Sequence, residues 1–173
     1  AFFFYIDGVY TIIDMATAYG TSLGLNTTGL LLALLLTQIV AFPASLTFAV
    51  LSKTKDTASL IKVAIIAYFL IALFAVQLDK QWEFWVLAVA VGCFQGGIQA
   101  LSRSYFAKII PENASGEYFG LFDICGKGAS FLGTMLIGVV TQITGKQNLG
   151  VAALSIMFVI GYLIFNKVSK MDD

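Results

Sequence analysis

Six long apolar runs joined by very short loops constrain this chain more than anything else in its 173 residues. They lie near 1–22, 28–52, 58–78, 84–106, 116–142 and 148–167. About 20 mostly apolar residues span a bilayer as a helix, and every run reaches that scale. Only 12% of the residues are charged and 59% are hydrophobic, too few charges to clothe a soluble domain. The expected fold is an all-α membrane protein, a bundle of six transmembrane helices forming one domain over residues 1–173.

Composition excludes several functions. There is no histidine, and Cys93 and Cys125 fall inside separate runs, so neither a metal-ligand set nor a disulfide framework is expected. No cofactor is implied. Formal net charge is zero, which leaves no electrostatic footprint for nucleic acid. The first run lacks a basic leader and carries Asp7 and Asp14, unlike a signal peptide. No nucleophile motif speaks for an enzyme. Ala1 is not a natural start, so the chain reads as cut from something longer.

Loop charges set an orientation. Lys53, Lys55, Lys62, Arg103, Lys108, Lys167 and Lys170 flank one side, whereas only Lys80 and Lys146 flank the other. By the positive-inside rule both termini are cytoplasmic, as an even number of spans requires. The short loops suggest a bacterial inner (plasma) membrane. Pro111 ends the fourth helix, and Asn113 or Ser115 is expected to cap the fifth, with Glu117 in its first turn. Asn26-Thr27-Thr28 and Asn113-Ala114-Ser115 match the glycosylation sequon by chance.

Polar stripes divide the helices into two kinds. The fifth carries Gly116, Gly120, Asp123, Lys127, Ser130, Thr134, Gly138 and Thr141 at steps of three or four, which share a face of a continuous helix. The fourth carries Gly92, Gln95, Gly96, Gln99 and Arg103. The first carries Asp7, Thr11 and Asp14, and the second Thr37, Gln38 and Ser45, with Pro43 breaking the ladder. The third and sixth are almost wholly apolar and read as lipid-facing. Gly92-x-x-x-Gly96 and Gly116-x-x-x-Gly120 have the form of close-packing motifs. Five ionisable groups within four helices ask for a reason, because a mid-bilayer charge costs about 2.5–3.5 kcal/mol. A polar pathway is one reason. Mutual neutralisation is another: Asp123 and Lys127 are four apart in the favourable order, and Arg103 can snorkel.

Two polar helices and an apolar one, repeated in inverted orientation, form a 3+3 pattern like half of a major facilitator fold. Specific residues point the same way. Tyr5-Ile6-Asp7-Gly8-Val9 with Thr11-Ile12-Ile13, Gln38 through Pro43, Gly96 through Ser104, Pro111 and Glu117 through Asp123 resemble helices seven, eight, ten and eleven of the vacuolar effluxer (autophagy-related permease) family of the major facilitator superfamily. The loop Ala49 through Thr54 departs from the superfamily's Gly-x-Leu-Ala-Asp-Arg pattern. The resemblance implies the C-terminal half of a twelve-helix, secondary-active and proton-coupled transporter, possessing an N-terminal six-helix half as its partner. It also implies a small-molecule substrate such as an amino acid. The expected substrate or proton site is Asp7, Asp14, Gln38, Gln95, Gln99, Arg103, Asp123 and Lys127. Asp7 and Asp14, with no basic residue within four positions, are the coupling candidates, and Lys127 suits a substrate carboxylate. The chain alone is expected to self-associate through its uncovered polar stripes. The competing reading is a non-transporting six-helix assembly or scaffold subunit.

Overall fold

The computed structural model describes residues 1–111 and 115–170, and in them the chain is helical almost throughout. The helices are α1 (Phe2–Ser22), α2 (Thr27–Leu51), α3 (Thr57–Ala75), α4 (Gln81–Ile109), α5 (Ser115–Lys127), α6 (Phe131–Thr144) and α7 (Gln147–Ser169). The expected cap Asn113 lies outside the described residues.

Local chemistry explains the boundaries. Asn26 caps α2 by accepting from Gly29 N at 3.1 Å. Asp56 caps α3, accepting from Ser59 N at 2.8 Å and Ala58 N at 3.3 Å. The Ser59 bond is the main reason its carboxyl sits below the usual carboxylate range. Glu83 reaches back from the first turn of α4 to Asp79 N and Lys80 N. Ile110, forced out of the helical region by Pro111, is extended at φ −86°, ψ 146° and ends α4. Gly145, at φ 69°, ends α6 with a left-handed turn.

Three features bear on the sequence expectation. First, α2 runs through Pro43 to Leu51, as the expected span to residue 52 requires. Just beyond the proline two hydroxyls fold back onto the helix, Ser45 Oγ donating to Phe42 O and Thr47 Oγ1 to Pro43 O. Second, the fifth run is not one helix. It breaks at Gly128–Ser130, where Ser130 has φ 77°, so the eight-residue stripe is split between two half-helices. Third, among the described residues five helical stretches are long and apolar enough to cross a membrane by length and composition alone: α2, α3, α4, Ser115–Thr144 and α7. The 21-residue α1 has the length, but Asp7, Asp14 and its hydroxyl residues dilute its hydropathy. Its surroundings compensate, since α1 packs against every other helix.

Small residues bring helices together at defined places. A Cβ on Gly92 would lie 2.7 Å from Thr37 O and 3.0 Å from Val40 Cβ, so the α2–α4 seam needs glycine there. Gly96 backs onto Ser45 and Gly97 onto the Phe48 ring in the same seam. Thr37 Oγ1 crosses it to donate to Ala88 O at 3.2 Å. Gly116 and Gly120, despite identical spacing, have nothing within 4 Å of where a Cβ would sit. Among the described residues they pack no helices together.

The apolar helices α3 and α7 have two sides. Tyr68 and Phe158 are fully buried and stack with centroids 5.7 Å apart. Outward, Val63, Ile66 and Leu70 on α3 and Ile156, Val159 and Leu163 on α7 are exposed. These rows suit lipid tails, while the inner rows form the core.

The contacts fit the repeat that hydropathy suggests only in part. Exchanging the triplets α1–α2–α3 and α4–(α5, α6)–α7 maps α3·α4 onto α1·α7. The α2·α4 seam is far more extensive than its counterpart, α1 with α5 and α6. The α3·α7 contact maps onto itself. The α6·α7 contact has no counterpart of similar extent between α2 and α3. The molecule is an all-α membrane bundle, half of a major facilitator fold.

Candidate substrate cavity

Four helices converge on an open cavity of about 760 Å³. From α1 come Phe2, Ile6 and Tyr10, spaced at i, i+4 and i+8 so that one face of the helix forms a wall. Ser45 contributes from α2; Gly96, Gln99, Ala100 and Arg103 from α4; and Phe122, Asp123, Gly126 and Lys127 from α5. A mostly apolar lining with a few converging polar groups, at this volume, is the usual character of a small-molecule site.

The charges are arranged across the cavity rather than along one helix. Arg103 Nη2 donates to Asp123 Oδ1 at 2.7 Å, joining α4 to α5. The expectation that Asp123 is neutralised by Lys127, one turn on, is therefore corrected. Arg103 does not simply snorkel; it is held by Asp123 and lies 5.8 Å from the centroid of Phe122. Phe122 stacks on Phe2 at 4.0 Å and on Phe106 at 4.8 Å. Lys127, the last residue of α5, is exposed and forms no ion pair among the described residues.

Asp7 occupies a different environment. It is fully buried. Its Oδ1 accepts from Gly133 N at 2.7 Å and its Oδ2 from Leu132 N at 3.1 Å, with Thr11 Oγ1 at 3.3 Å. The expectation of a lone, partnerless carboxyl does not describe it. Asp14, two stripe positions further along, is exposed. Of the remaining expected residues, Gln99 lines the cavity, whereas Gln38 lines a small apolar crevice between α1, α2 and α4. Gln95 holds a buried Oε1 with no hydrogen-bond partner among the described residues. The structure thus groups Gln99, Arg103, Asp123 and Lys127, and places Asp7, Asp14, Gln38 and Gln95 outside this lining. Sequence reasoning missed Phe2, Ile6, Tyr10 and Phe122. The i, i+4, i+8 spacing of the first three was a usable signal, but apolar residues in an apolar helix do not stand out.

Comparison with known proteins bears on this arrangement directly. Residues 1–171 match the family described as Vacuole effluxer Atg22 like. This chain belongs to that family. It is similar, at 46% identity over 164 residues, to a Bacillus subtilis protein called an uncharacterized MFS-type transporter, YxiO, covering 95% of this chain and 38% of that protein. It is 34% identical over 95 residues to autophagy-related protein 22 of Eremothecium gossypii, covering 55% of this chain and 19% of the relative. Against autophagy-related protein 22-1 of Aspergillus niger the identity is 25% over 162 residues, 84% of this chain and 26% of the relative. The chain spans less than two fifths of the length of each of these relatives. Membership of the Atg22-like family makes it an integral, multi-pass membrane protein of a transporter family, not an enzyme.

Proposed function

We propose that this chain is the C-terminal six-helix half of a secondary-active major facilitator transporter, and that the cavity is its share of the substrate path. The observation that carries this is the cavity's position. It opens between α1, α2, α4 and α5, the helices with polar faces, and away from the lipid-suited rows of α3 and α7. An N-terminal half of the same protein would close it from the other side, and rocking of the two halves would expose it to each membrane face in turn.

The chemistry of the lining fits a zwitterionic amino acid or a similar small metabolite. Lys127, exposed and without an ion-pair partner among the described residues, offers a cation for a carboxylate. Asp123, in its pair with Arg103, offers an oxygen for an ammonium group. Phe2 and Phe122 give an apolar wall for a side chain. Asp14 is the better placed of the two helix-one carboxyls for proton coupling, because it is exposed on α1 while the oxygens of Asp7 are taken by backbone N–H groups.

The full-length protein reconstituted into proteoliposomes tests this. Counterflow of radiolabelled neutral amino acids is expected, stimulated by an imposed pH gradient, and Asp14→Asn is expected to remove the stimulation. Folded protein that exchanges no amino acid or related metabolite would favour the assembly-subunit reading instead.

Orientation is a separate expectation. Asp56 and Lys55 lie at the α2–α3 turn with the α4 end, where Lys108 Nζ reaches Thr57 Oγ1 at 3.2 Å. The α3–α4 turn lies at the opposite end, where Asn148 Nδ2 bonds Val76 O. Seven of nine loop-associated basic residues cluster at the first end, which is therefore cytoplasmic. Single cysteines at Lys55 and Lys80, in a background without Cys93 and Cys125, should be labelled by an impermeant maleimide from opposite sides. Labelling of both from one side would contradict the topology.

A further inference from the structure

The break between α5 and α6 leaves helix-terminal donors with no partner of their own. The first N–H groups of any helix lack intrahelical acceptors, and in an apolar bundle they need another oxygen. Serine at the N-cap normally supplies one from an extended backbone. Ser130 holds the N-cap position of α6, yet at φ 77° its backbone is left-handed and its side chain makes no capping bond. The oxygens come instead from α1, where Asp7 accepts from Leu132 N and Gly133 N. Gly133 is needed for this approach, since a Cβ there would lie 2.8 Å from Asp7 Oδ1 and would run into Thr11 Oγ1. A carboxylate at the positive end of a helix dipole adds favourable electrostatics.

The two half-helices are held very differently. α6 is fixed at its start by Asp7 and along its length by α7, where Gly150 lets Ile137 O come within 2.8 Å of a Cβ position. α5 buries only Phe122, and its extensive packing is limited to α1. What ties it to α4 is the Arg103–Asp123 pair and the contact of Phe119 and Phe122 with Phe106. Between the two lie Gly128, Ala129 and the left-handed Ser130, a non-glycine residue in a region that side chains seldom adopt.

We propose that Asp7 is a positioning residue that caps α6 in trans and locks it to α1, so that Gly128–Ser130 is a hinge about which α5 alone swings across the mouth of the cavity. The swing carries Asp123 and Lys127 with it, so the cavity's charged wall moves while its α1 wall stays. The stationary part is α6, and the latch is the Arg103–Asp123 pair.

The inference is tested on backbone motion in the full-length protein in nanodiscs, so its failure would leave the transport reading standing. With Cys93 and Cys125 replaced by serine, spin labels at Ala107 and Tyr118 report α4 to α5, and labels at Ala18 and Val139 report α1 to α6. The first pair is expected to show a broad or two-population distance distribution, the second a single narrow one. Asp7→Ala should broaden the second and speed amide exchange across residues 131–134 about tenfold, the usual scale for a lost cap. Asp7→Asn should fall between wild type and Asp7→Ala, because its amide keeps one accepting oxygen and turns an NH2 group toward the second backbone N–H. Gly133→Ala should act like Asp7→Ala, and less so when Thr11→Ala makes room. Equal distribution widths for the two pairs in the wild type, or unchanged exchange in Asp7→Ala, would overturn the proposal.

Discussion

Asp123→Asn in the full-length protein is expected to lower the transport rate by roughly 100-fold, and to lower thermal stability with it. The reason is Arg103. In this half alone the pair is about half exposed, 61% for the arginine side chain and 48% for the aspartate, and a solvated pair of that kind is worth little. Once a second half covers the cavity, the same guanidinium is cut off from water, and an uncompensated buried charge costs about 3–5 kcal/mol. Among the described residues the carboxyl of Asp123 is also the only acid in the cavity lining, so its loss leaves Arg103 and Lys127 facing each other's field. Three further variants separate these effects. Arg103→Ala together with Asp123→Ala should be less damaging to stability than either alone. The swap Arg103→Asp with Asp123→Arg should restore stability in part. A double-mutant cycle should give strong coupling for Arg103 with Asp123 and weak coupling for Lys127 with Asp123. Strong coupling only to Lys127 would mean that the helix-internal pair forms in the assembled protein.

That pairing shows where sequence reasoning stops. Asp123 and Lys127 announce themselves by spacing, whereas Arg103 is twenty residues away and reaches Asp123 only because α4 and α5 lie side by side. The spans themselves are legible because bilayer thickness imposes a length on any apolar run. The inverted arrangement is legible because polar and apolar helices alternate in a fixed order. Long-range partners have no such signature. Asp7 looks unpartnered in sequence, since its acceptors' donors lie 125 and 126 residues downstream. The break in the fifth run is hidden for a related reason: polar and small residues continue at steps of three or four straight through Gly128–Ser130. A glycine, an alanine and a serine there are weak evidence, because small residues such as glycine are common in membrane helices. Gly92-x-x-x-Gly96 and Gly116-x-x-x-Gly120 make the point most sharply. One is filled by α2 and the other is open, and nothing in the two pentapeptides tells them apart.

The open pair leads to the second large effect, which concerns assembly. Within the most apolar 18 residues of each span, only 17% in α2 and 11% in the α5–α6 stretch are buried in the bundle, against 50% in α3. Leu35, Ile39 and Phe42 on α2, and Leu121, Ile124 and Met135 on α5 and α6, are exposed beside the cavity. Apolar side chains alone could simply meet lipid. The charged mouth between them cannot, because polar groups in hydrocarbon seek partners. This chain expressed alone is therefore expected to run as dimers or larger species in mild detergent. Co-expression with the N-terminal half of the same protein should shift it to a one-to-one complex, read by light scattering coupled to size exclusion. Gly120→Leu, which meets nothing within this chain, should leave its helicity and thermal unfolding near wild type while reducing that co-purification severalfold. Gly92→Leu should do the reverse damage, since it drives a side chain into Thr37 O and Val40 and opens the α2–α4 seam, at a cost of about 1–3 kcal/mol or more. If the chain alone is monomeric in both detergent and bilayer, or if Gly120→Leu leaves pairing with the other half untouched, the face lined by α5 is not where the two halves meet.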